Sequence, residues 1–362
     1  MEYNFPLLLD NPRAWRTYLG GRLLDALHGN PAGEDSHFPE EWILSVVAAR
    51  NAGREHLTEE GLSRLAETGA TLKQMIEADP AALLGSAHAA RSGAELGVLV
   101  KLIDSAERLA VQVHPNRQKA MELFSSPYGK TECWHILGGR EIDGQKPYVY
   151  LGFREGITRE IWKKLFERQD IQGMLGCLYR YEVNPGNTIL IEGGVPHAIG
   201  AGCFLAEIQE PTDYTIRVER TTPSGYQVAD SMCHQGLGFE TMFECFDYTP
   251  MTRSQVQSRW FIPAITLRQG AGGSVKTLIG YNSTPFFRMD EIRVNQTLTV
   301  DGGERFSGLY VLEGQGTMAA NGRSAPVKKA QQYFVPAGAG SLTFTAEPEN
   351  PLRLLHCFGA EI

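Results

Sequence analysis

Residues 109–134 read LAVQVHPNRQKAMELFSSPYGKTECW, and this stretch decides how the rest of the chain is interpreted. Gln112 and His114 are two positions apart, so on a β-strand both side chains point to the same face. Glu132 follows in the same stretch, and a second imidazole, that of His197, stands downstream behind a Gly-Gly-Val-Pro segment. Together the four residues offer two nitrogens and two oxygens, a set that suits a catalytic zinc ion with one position left open.

The same residues also have a plainer interpretation. A His beside Pro at a strand end, as in His114-Pro115, is often a turn residue whose ring is satisfied locally. Spacing alone therefore leaves a metal site and a set of structural residues as open alternatives. Features elsewhere in the sequence are needed to decide between a metal site and structural residues.

The composition is typical of a folded protein with several short strands. The 362 residues, 42% hydrophobic and 21% charged, suggest two or three domains. The 39 Gly and 19 Pro favour strands joined by turns. With a net charge of −8 and no basic cluster, we expect no nucleic-acid partner. None of the six Cys forms a CxxC pair, so they are expected to be reduced core residues.

The sequence also bears on location. Residues 1–4 do not form a cationic region with an apolar core behind it, and no apolar run is long enough to span a membrane. We therefore expect a cytoplasmic protein with no membrane partner. A monomer and a homodimer are equally compatible with the sequence.

One segment in the N-terminal half is predicted to be helical. In residues 57–97, apolar residues recur at helical spacing, and Thr58 could cap the first helix. Outside this insert, alternating apolar residues, for example in residues 98–102 and 109–113, predict strands. A second helical pattern follows Thr158, which could cap that helix.

Two pairs of similar segments suggest a duplicated β-barrel unit. Residues 132–139 resemble residues 308–316, and Val195-Pro196-His197 has a counterpart in Val335-Pro336-Ala337. Ala337 stands where the first copy has a ligand, so the second unit is predicted to be degenerate and free of metal. We predict domains at residues 1–250 and 251–362.

Several motifs resemble those of type I mannose-6-phosphate isomerases of the cupin superfamily. The matching pieces, in chain order, are residues 41–45, 112–116, 129–134, 195–199 and 207–217. The resemblance implies a mainly β fold with two cupin-type β-barrel or jelly-roll units. The helical insertion at about residues 57–97 would lie in the first, catalytic unit.

The resemblance also implies roles for individual residues. One Zn²⁺ per chain would be bound by Gln112, His114, Glu132 and His197. The remaining assignments are Arg217, Glu207 and Lys130 as catalytic residues, and Lys101 and Trp15 as substrate-binding residues. A carboxylate within an apolar run, such as Glu207, is usually paired or functional even without this resemblance.

Two departures from the family pattern concern phosphate recognition. Ala110 stands where the family usually has Ser, and residues 218–223 contain no Lys. The small-molecule partner implied by the resemblance is a phosphosugar, but these departures leave a different phosphosugar open.

The implied reaction interconverts mannose 6-phosphate and fructose 6-phosphate by proton transfer through an enediol. It needs a base and a positive group to stabilise the enediolate oxygens. Glu207 and a zinc-bound hydroxide are the two candidates for the base. An iron-dependent dioxygenase is a competing interpretation of the two His and one carboxylate, but Gln112 would fill a position that oxygen chemistry needs open. A non-catalytic, metal-containing sugar-binding bicupin is a further alternative.

Overall fold

The computed structural model describes residues 3–361, so the first two residues, used above in the prediction about location, lie outside it together with Ile362. The strands are β1 (Leu7–Leu9), β2 (Arg13–Ala14), β3 (Glu40–Ile43), β4 (Leu99–Asp104), β5 (Gln112–Val113), β6 (Glu132–Gly139), β7 (Tyr148–Phe153), β8 (Leu178–Glu182), β9 (Thr188–Ile191), β10 (His197–Ile199), β11 (Cys203–Gln209), β12 (Ile216–Arg217), β13 (Ile265–Gly270), β14 (Gly273–Ile279), β15 (Arg288–Val294), β16 (Thr297–Val300), β17 (Ser307–Glu313), β18 (Gln315–Ala320), β19 (Arg323–Lys328), β20 (Gln332–Val335), β21 (Leu342–Ala346) and β22 (Leu352–Phe358).

The helices are shorter and connect or flank the strands. They are α1 (Arg22–Leu27), α2 (Leu72–Ala78), α3 (Pro80–Leu84), α4 (Ser86–Ser92), α5 (Arg117–Phe124), α6 (Arg159–Glu167), α7 (Ile171–Gly176), α8 (Asp230–His234), α9 (Gly238–Thr241) and α10 (Arg253–Trp260), with 3₁₀ turns at Met242–Cys245 and Ala337–Ala339. Within residues 3–361, none of them is long and apolar enough to cross a membrane.

The strand order shows an internal duplication. The first unit pairs a sheet of order β2-β3-β4-β11-β6-β9 with a sheet of order β12-β5-β10-β7-β8. The second unit has sheets of order β13-β14-β15-β22-β17-β20, extended by β1, and β16-β21-β18-β19. Each strand from β2 to β11 has a counterpart in the second unit whose number is higher by eleven, and the counterparts lie in the same order in their sheets. Among the residues that the structure describes, the edge strand β12 of the first unit has no such counterpart. The predicted mainly β fold of two cupin-type units is confirmed.

Three apolar cores hold these sheets together. One lies between the two sheets of the first unit and includes Trp134 and Ile136, and another lies between the sheets of the second unit. The third core joins the units, because Val100 and Ile208 of the first pack with Met289 of the second. Burial of apolar area between sheets is the main favourable term for such a sandwich.

The predicted helical insert is present, but its first helix starts later than the sequence suggested. Residues 57–70 form turns and isolated bridges, and the helices α2, α3 and α4 lie between residues 72 and 92. Thr58 is therefore not a cap. Thr71 is the cap, and it forms a capping box with Gln74. The prediction for Thr158 is confirmed, since its side chain accepts a hydrogen bond from the N–H of Ile161.

The residue-level match between Ala337 and His197 also differs in the structure. His197 is the first residue of β10, whereas Ala337 begins a 3₁₀ turn. By strand order, Leu342 at the start of β21 is the counterpart of His197. The two units therefore correspond strand by strand but not at this sequence motif.

The junction between units is not a single point in the chain. β1 belongs to the second unit's sheet, where Leu8 pairs with Tyr333. Helix α10 follows the predicted boundary, yet Val256 and Trp260 are part of the first unit's core. The division at residues 250 and 251 stays a prediction.

Candidate metal centre and adjoining cavity

Facing strands carry the predicted site residues in two rows. In the five-stranded sheet, Gln112 on β5 pairs with His197 on one side and with Arg217 on the other. In the six-stranded sheet, Glu207 on β11 pairs with Lys101 on β4. Residues directly opposite each other in antiparallel strands point to the same face. Each row therefore presents its side chains together to the space between the sheets.

Glycines allow the segments that carry the ligands to approach closely. A Cβ at Gly193 would lie 2.6 Å from the Cα of Asn116, and a Cβ at Gly129 would lie 2.8 Å from the carbonyl oxygen of Pro115. Contacts that short exclude any side chain at either position. The turns that precede β6 and β10 are thus held against the residues that follow His114.

The side chains of His114, Glu132 and His197 converge, and one ligand atom of each lies within 4.8 Å of the others. Nε2 of His114 is 3.2 Å from Oε2 of Glu132, and Nε2 of His197 is 3.4 Å from Oε1 of Glu132. Gln112 completes the group, since its amide nitrogen lies 3.2 Å from Nε2 of His197. The structure brings all four predicted ligands together.

Backbone carbonyls orient both imidazoles. Nδ1 of His114 lies 2.8 Å from the carbonyl oxygen of Tyr214, and Nδ1 of His197 lies 2.8 Å from that of Val195. A carbonyl oxygen only accepts, so we assign the proton of each neutral ring to Nδ1. The lone pair of Nε2 then faces the cluster, as in metal sites where a hydrogen bond fixes the tautomer of the ligand.

The electrostatics of the cluster suit a bound cation. Burial lowers the pKa of His114, with the Lys130 ammonium adding to the effect, and burial lowers the pKa of His197 to about 3. Burial alone would raise the pKa of Glu132, but Lys130 and the imidazoles outweigh it and hold that pKa well below its usual range. Neutral imidazoles and an ionised carboxylate are the forms that bind a metal.

The hydrogen bonding of Glu132 is also consistent with a bound metal ion. Oε1 of Glu132 is buried and has no hydrogen-bond partner among residues 3–361. The ammonium of Lys130 contacts Oε2 of Glu132 and lies 2.9 Å from Nε2 of His114. A positive group thus already lies against these atoms, while one buried acceptor is unsatisfied. The cluster could hold a metal ion.

A narrow cavity adjoins the cluster and contains most of the other predicted residues. It has about 40 Å³ of room for water. The predicted catalytic and substrate-binding residues among its lining are Lys101, Lys130, Glu207 and Arg217, and Ala110 also contributes to the wall.

Glu207 is held from two sides within the cavity. Nε1 of Trp134 donates to Oε2 of Glu207 at 3.0 Å. Nζ of Lys101 lies 3.2 Å from Oε1, close enough for an ion pair but without hydrogen-bond alignment. Burial raises the pKa of Glu207, and repulsion from Glu132 adds to the shift. This carboxylate is thus fixed in place and holds a proton more readily than an exposed Glu.

Arg217 presents a guanidinium to the same cavity. Its Nη1 donates to the carbonyl oxygens of Thr215 at 3.2 Å and Met232 at 2.9 Å. Burial lowers its pKa, and Asp213 opposes that effect, but an arginine stays charged throughout the accessible pH range.

Trp15 is the predicted residue that the structure places apart from the cavity lining. Its indole stacks on His37 at 5.2 Å between ring centroids and meets Tyr226 edge-on at 5.6 Å. The next residue, Arg16, lines the cavity instead, together with Glu40. The side chain of Trp15 therefore lies outside the cavity lining, and its predicted role in substrate binding stays a prediction.

Of the two further cavity residues, Glu40 could have been recognised from the sequence and Arg16 could not. Glu40 shares strand parity with Trp42, whose ring lies 5.0 Å from both Arg16 and Lys101. A carboxylate in a wholly buried strand could have been singled out. Arg16 lies just after β2, and no pattern in the sequence shows where its side chain points.

Two family models match separate parts of the chain. The model of the phosphomannose isomerase type I catalytic domain matches residues 56–129, and that of the mannose-6-phosphate isomerase cupin domain matches residues 278–349. Mannose-6-phosphate isomerase ManA of Bacillus subtilis is 34% identical over 126 residues. That match covers 35% of this chain and 38% of the relative.

Solved structures are similar over nearly the whole chain. The mannose 6-phosphate isomerase from Bacillus subtilis aligns with a TM-score of 0.74 at 20% identity, covering 97% of this chain and 99% of that one. A zinc-bound mannose 6-phosphate isomerase aligns with a TM-score of 0.71 at 16% identity, covering 98% and 100% of the two chains. Likenesses at these identities concern the fold.

Two duplicated units, one of which carries a buried His/Glu/His cluster, define a two-unit cupin protein with a candidate metal site. The two matching family models describe the same class of isomerase in its catalytic and cupin parts. In these two parts the chain is similar to type I phosphomannose isomerases, and over nearly its whole length it has their fold.

Proposed function

We propose that the protein is a zinc-dependent aldose–ketose isomerase that interconverts mannose 6-phosphate and fructose 6-phosphate. The observation that carries the proposal is a buried His/Glu/His cluster beside a cavity lined by a carboxylate, an ammonium and a guanidinium. The two matching family models support the choice of reaction, and the zinc-bound structure of a similar protein supports the choice of metal.

The reaction moves a proton between the two carbons of an open-chain sugar that exchange the carbonyl. Glu207 is the carboxylate placed to take this proton from one carbon and return it to the other. Burial and the nearby Glu132 raise its pKa toward the range in which a group both accepts and releases a proton. Trp134 and Lys101 hold the carboxylate in position.

His114, Glu132 and His197, with the amide oxygen of Gln112, would hold the zinc ion. When bound, the ion supplies a Lewis acid for the oxygens of the reacting carbons. A divalent ion at these atoms would repel the Lys130 ammonium, so we expect this ammonium to donate into the cavity. Lys130 would then stabilise negative charge that develops on the enediolate oxygens.

The cavity must widen when a sugar binds. Its roughly 40 Å³ has room for a few water molecules. We therefore expect side chains that line it to move when a hexose phosphate enters and displaces this water.

The test is turnover of mannose 6-phosphate to fructose 6-phosphate, measured with the metal content of the same sample before and after chelation. We expect activity to disappear with the zinc and to return when zinc is added back. Glu132→Gln should lower both zinc affinity and turnover at least about 100-fold, because it removes the negative charge of a direct ligand rather than an outer partner.

Glu122→Gln is the matched control, since Glu122 is an exposed carboxylate on α5, and it should leave both quantities unchanged. Full turnover in a sample shown to be free of metal would overturn the zinc requirement. Stoichiometric zinc without turnover of this substrate would overturn the assignment of mannose 6-phosphate.

A further inference from the structure

Arg16 is a buried guanidinium that the reaction described above does not use. Its residue is 4% exposed, and it lines the same cavity as Glu207 and Arg217. Nε lies 2.9 Å from Glu40, and Nη1 lies 3.5 Å from Asp213. Its Nη2 is buried and has no hydrogen-bond partner in the part of the chain that the structure describes.

An unsatisfied guanidinium nitrogen in a buried cavity points to a ligand that accepts hydrogen bonds. A buried donor without a partner costs free energy, so such groups are rare in folded proteins unless they serve binding or catalysis. Arg217 lines the same cavity as Arg16, and so does Asp213, which lies 3.5 Å from Nη1 of Arg16. Two guanidinium groups thus lie in one region of the cavity, and both present planar donor sets suited to an oxyanion.

The position of this pair fits one end of an elongated substrate. Arg217 is two strands away from His197 in the row His197–Gln112–Arg217, which corresponds to roughly 10 Å between backbones. Arg16 likewise contacts Glu40 and Trp42 on β3, two strands from Glu207. The two arginines therefore lie on the side of the cluster away from His197, with Arg217 next to Gln112 in the sheet.

The charge of the cavity supports the same ligand. Its wall and the adjoining cluster contain four cationic side chains and four carboxylates: Arg16, Lys101, Lys130 and Arg217, and Glu40, Glu132, Glu207 and Asp213. These charges cancel, and a divalent ion in the cluster would leave an excess of two positive charges. A phosphate monoester dianion would balance that excess.

We propose that Arg16, together with Arg217, binds the phosphate group of the substrate. The inference rests on the proposed function and adds a residue that determines specificity for phosphorylated sugars. It also accounts for phosphate binding where Ala110 in the cavity wall offers no hydroxyl.

The test compares wild type, Arg16→Gln, Arg16→Lys and Arg50→Gln. Arg50 is a matched control, because its exposed guanidinium lies over Tyr214 near the cavity but does not line it. Inorganic phosphate is the binding probe, titrated calorimetrically into the zinc-loaded protein. Steady-state kinetics with mannose 6-phosphate and with unphosphorylated mannose give a second readout.

Arg16→Gln should weaken phosphate binding about 10- to 100-fold, the loss expected for hydrogen bonds to a charged group. It should raise KM for mannose 6-phosphate by a similar factor, and should lower the ratio of kcat/KM for mannose 6-phosphate to kcat/KM for mannose by the same factor. Arg16→Lys should recover part of the loss because the charge is kept, and Arg50→Gln should behave as wild type.

Equal losses for mannose and mannose 6-phosphate would overturn the inference, because Arg16 would then act on the sugar or on the fold. Unchanged phosphate affinity and KM in Arg16→Gln would also overturn it, even if the wild type is an active isomerase. Phosphate binding that depends on Arg16 in a protein without isomerase activity would support the inference and refute the proposed function. Arg16→Lys, which keeps the charge paired with Glu40, separates a binding defect from a folding defect.

Discussion

His356 is a buried imidazole in the second unit, in the sheet position that Glu207 occupies in the first. It pairs with Asp290 on β15 and with Leu309 on β17, as Glu207 pairs with the matching strands β4 and β6. Its Nε2 lies 2.8 Å from Oγ of Ser307. Burial, with repulsion from Arg288 and Arg305, lowers its pKa to about 3.

This shift predicts a loss of stability in mild acid. The unfolded chain takes up a proton on this ring below about pH 6.5, whereas the folded protein does so only near pH 3. The free energy of unfolding should therefore fall as the pH drops through that window, by up to about 1.4 kcal/mol per pH unit from this group. His356→Gln should flatten the dependence in urea titrations between pH 7.5 and pH 5.

His56→Gln serves as the control, because His56 is exposed, and it should keep the slope of the wild type. If His356→Gln has the wild-type slope, proton uptake by this ring does not limit stability in acid.

Residue types predicted the candidate metal ligands well but predicted the rest of the cavity less well. The ligands could be recognised because imidazoles and a carboxylate recur in short motifs of an otherwise apolar sequence, and those motifs match a known family in order. The carbonyl partners of the imidazoles could not, since a backbone group carries no residue-specific signal. Arg16 escaped detection for a similar reason, because the path of the chain after β2 decides where its side chain points.

At the level of elements, helix periodicity predicted the insert but not where it begins. Gln74 stands three residues after Thr71, and its side chain completes a capping box. Gly61 stands three residues after Thr58 and has no side chain that could do the same. Apolar spacing continues across both candidates, so the period alone could not choose between them. Strand order was harder still, because pairing between β6 and β11 joins segments some 70 residues apart.

The corrected cap gives a direct comparison between two threonines. Thr71→Ala should destabilise the protein by about 1 kcal/mol, because the N–H of Gln74 loses the acceptor that caps α2. Thr58→Ala should change the free energy of unfolding by less than about 0.5 kcal/mol, as expected for an exposed site away from such features. Urea denaturation of the two variants and the wild type measures both values, and the interpretation fails if Thr58→Ala costs more than Thr71→Ala.

At the level of the whole molecule, a buried carboxylate links the two units. Glu41 on β3 accepts a hydrogen bond from the hydroxyl of Tyr310 on β17 at 2.7 Å, and from Nδ2 of Asn11 at 2.7 Å. Nε2 of His28 lies 2.6 Å from its other oxygen. The two units are thus joined by polar contacts as well as by an apolar core.

Tyr310→Phe should destabilise the protein by about 1.5–3 kcal/mol, because it removes a hydrogen bond to a buried charged group. Tyr181→Phe, which removes a bond from the hydroxyl to the neutral carbonyl of Arg253 at 3.0 Å within the first unit, should cost only about 0.5–1.5 kcal/mol. Equilibrium unfolding followed by tryptophan fluorescence would measure both. A larger loss for Tyr181→Phe would show that the contact between units contributes less than one inside a unit.

The pairing of β1 with β20 also has a consequence during synthesis. Leu8 leaves the ribosome long before its partner Tyr333 exists, since about 320 residues separate them. At a translation rate of roughly 5–20 residues per second, the first strand waits for about 15–65 s as an unpaired apolar segment. The sheet of the second unit therefore includes a strand made before the whole of the first unit, so the two units cannot fold one after the other as complete domains.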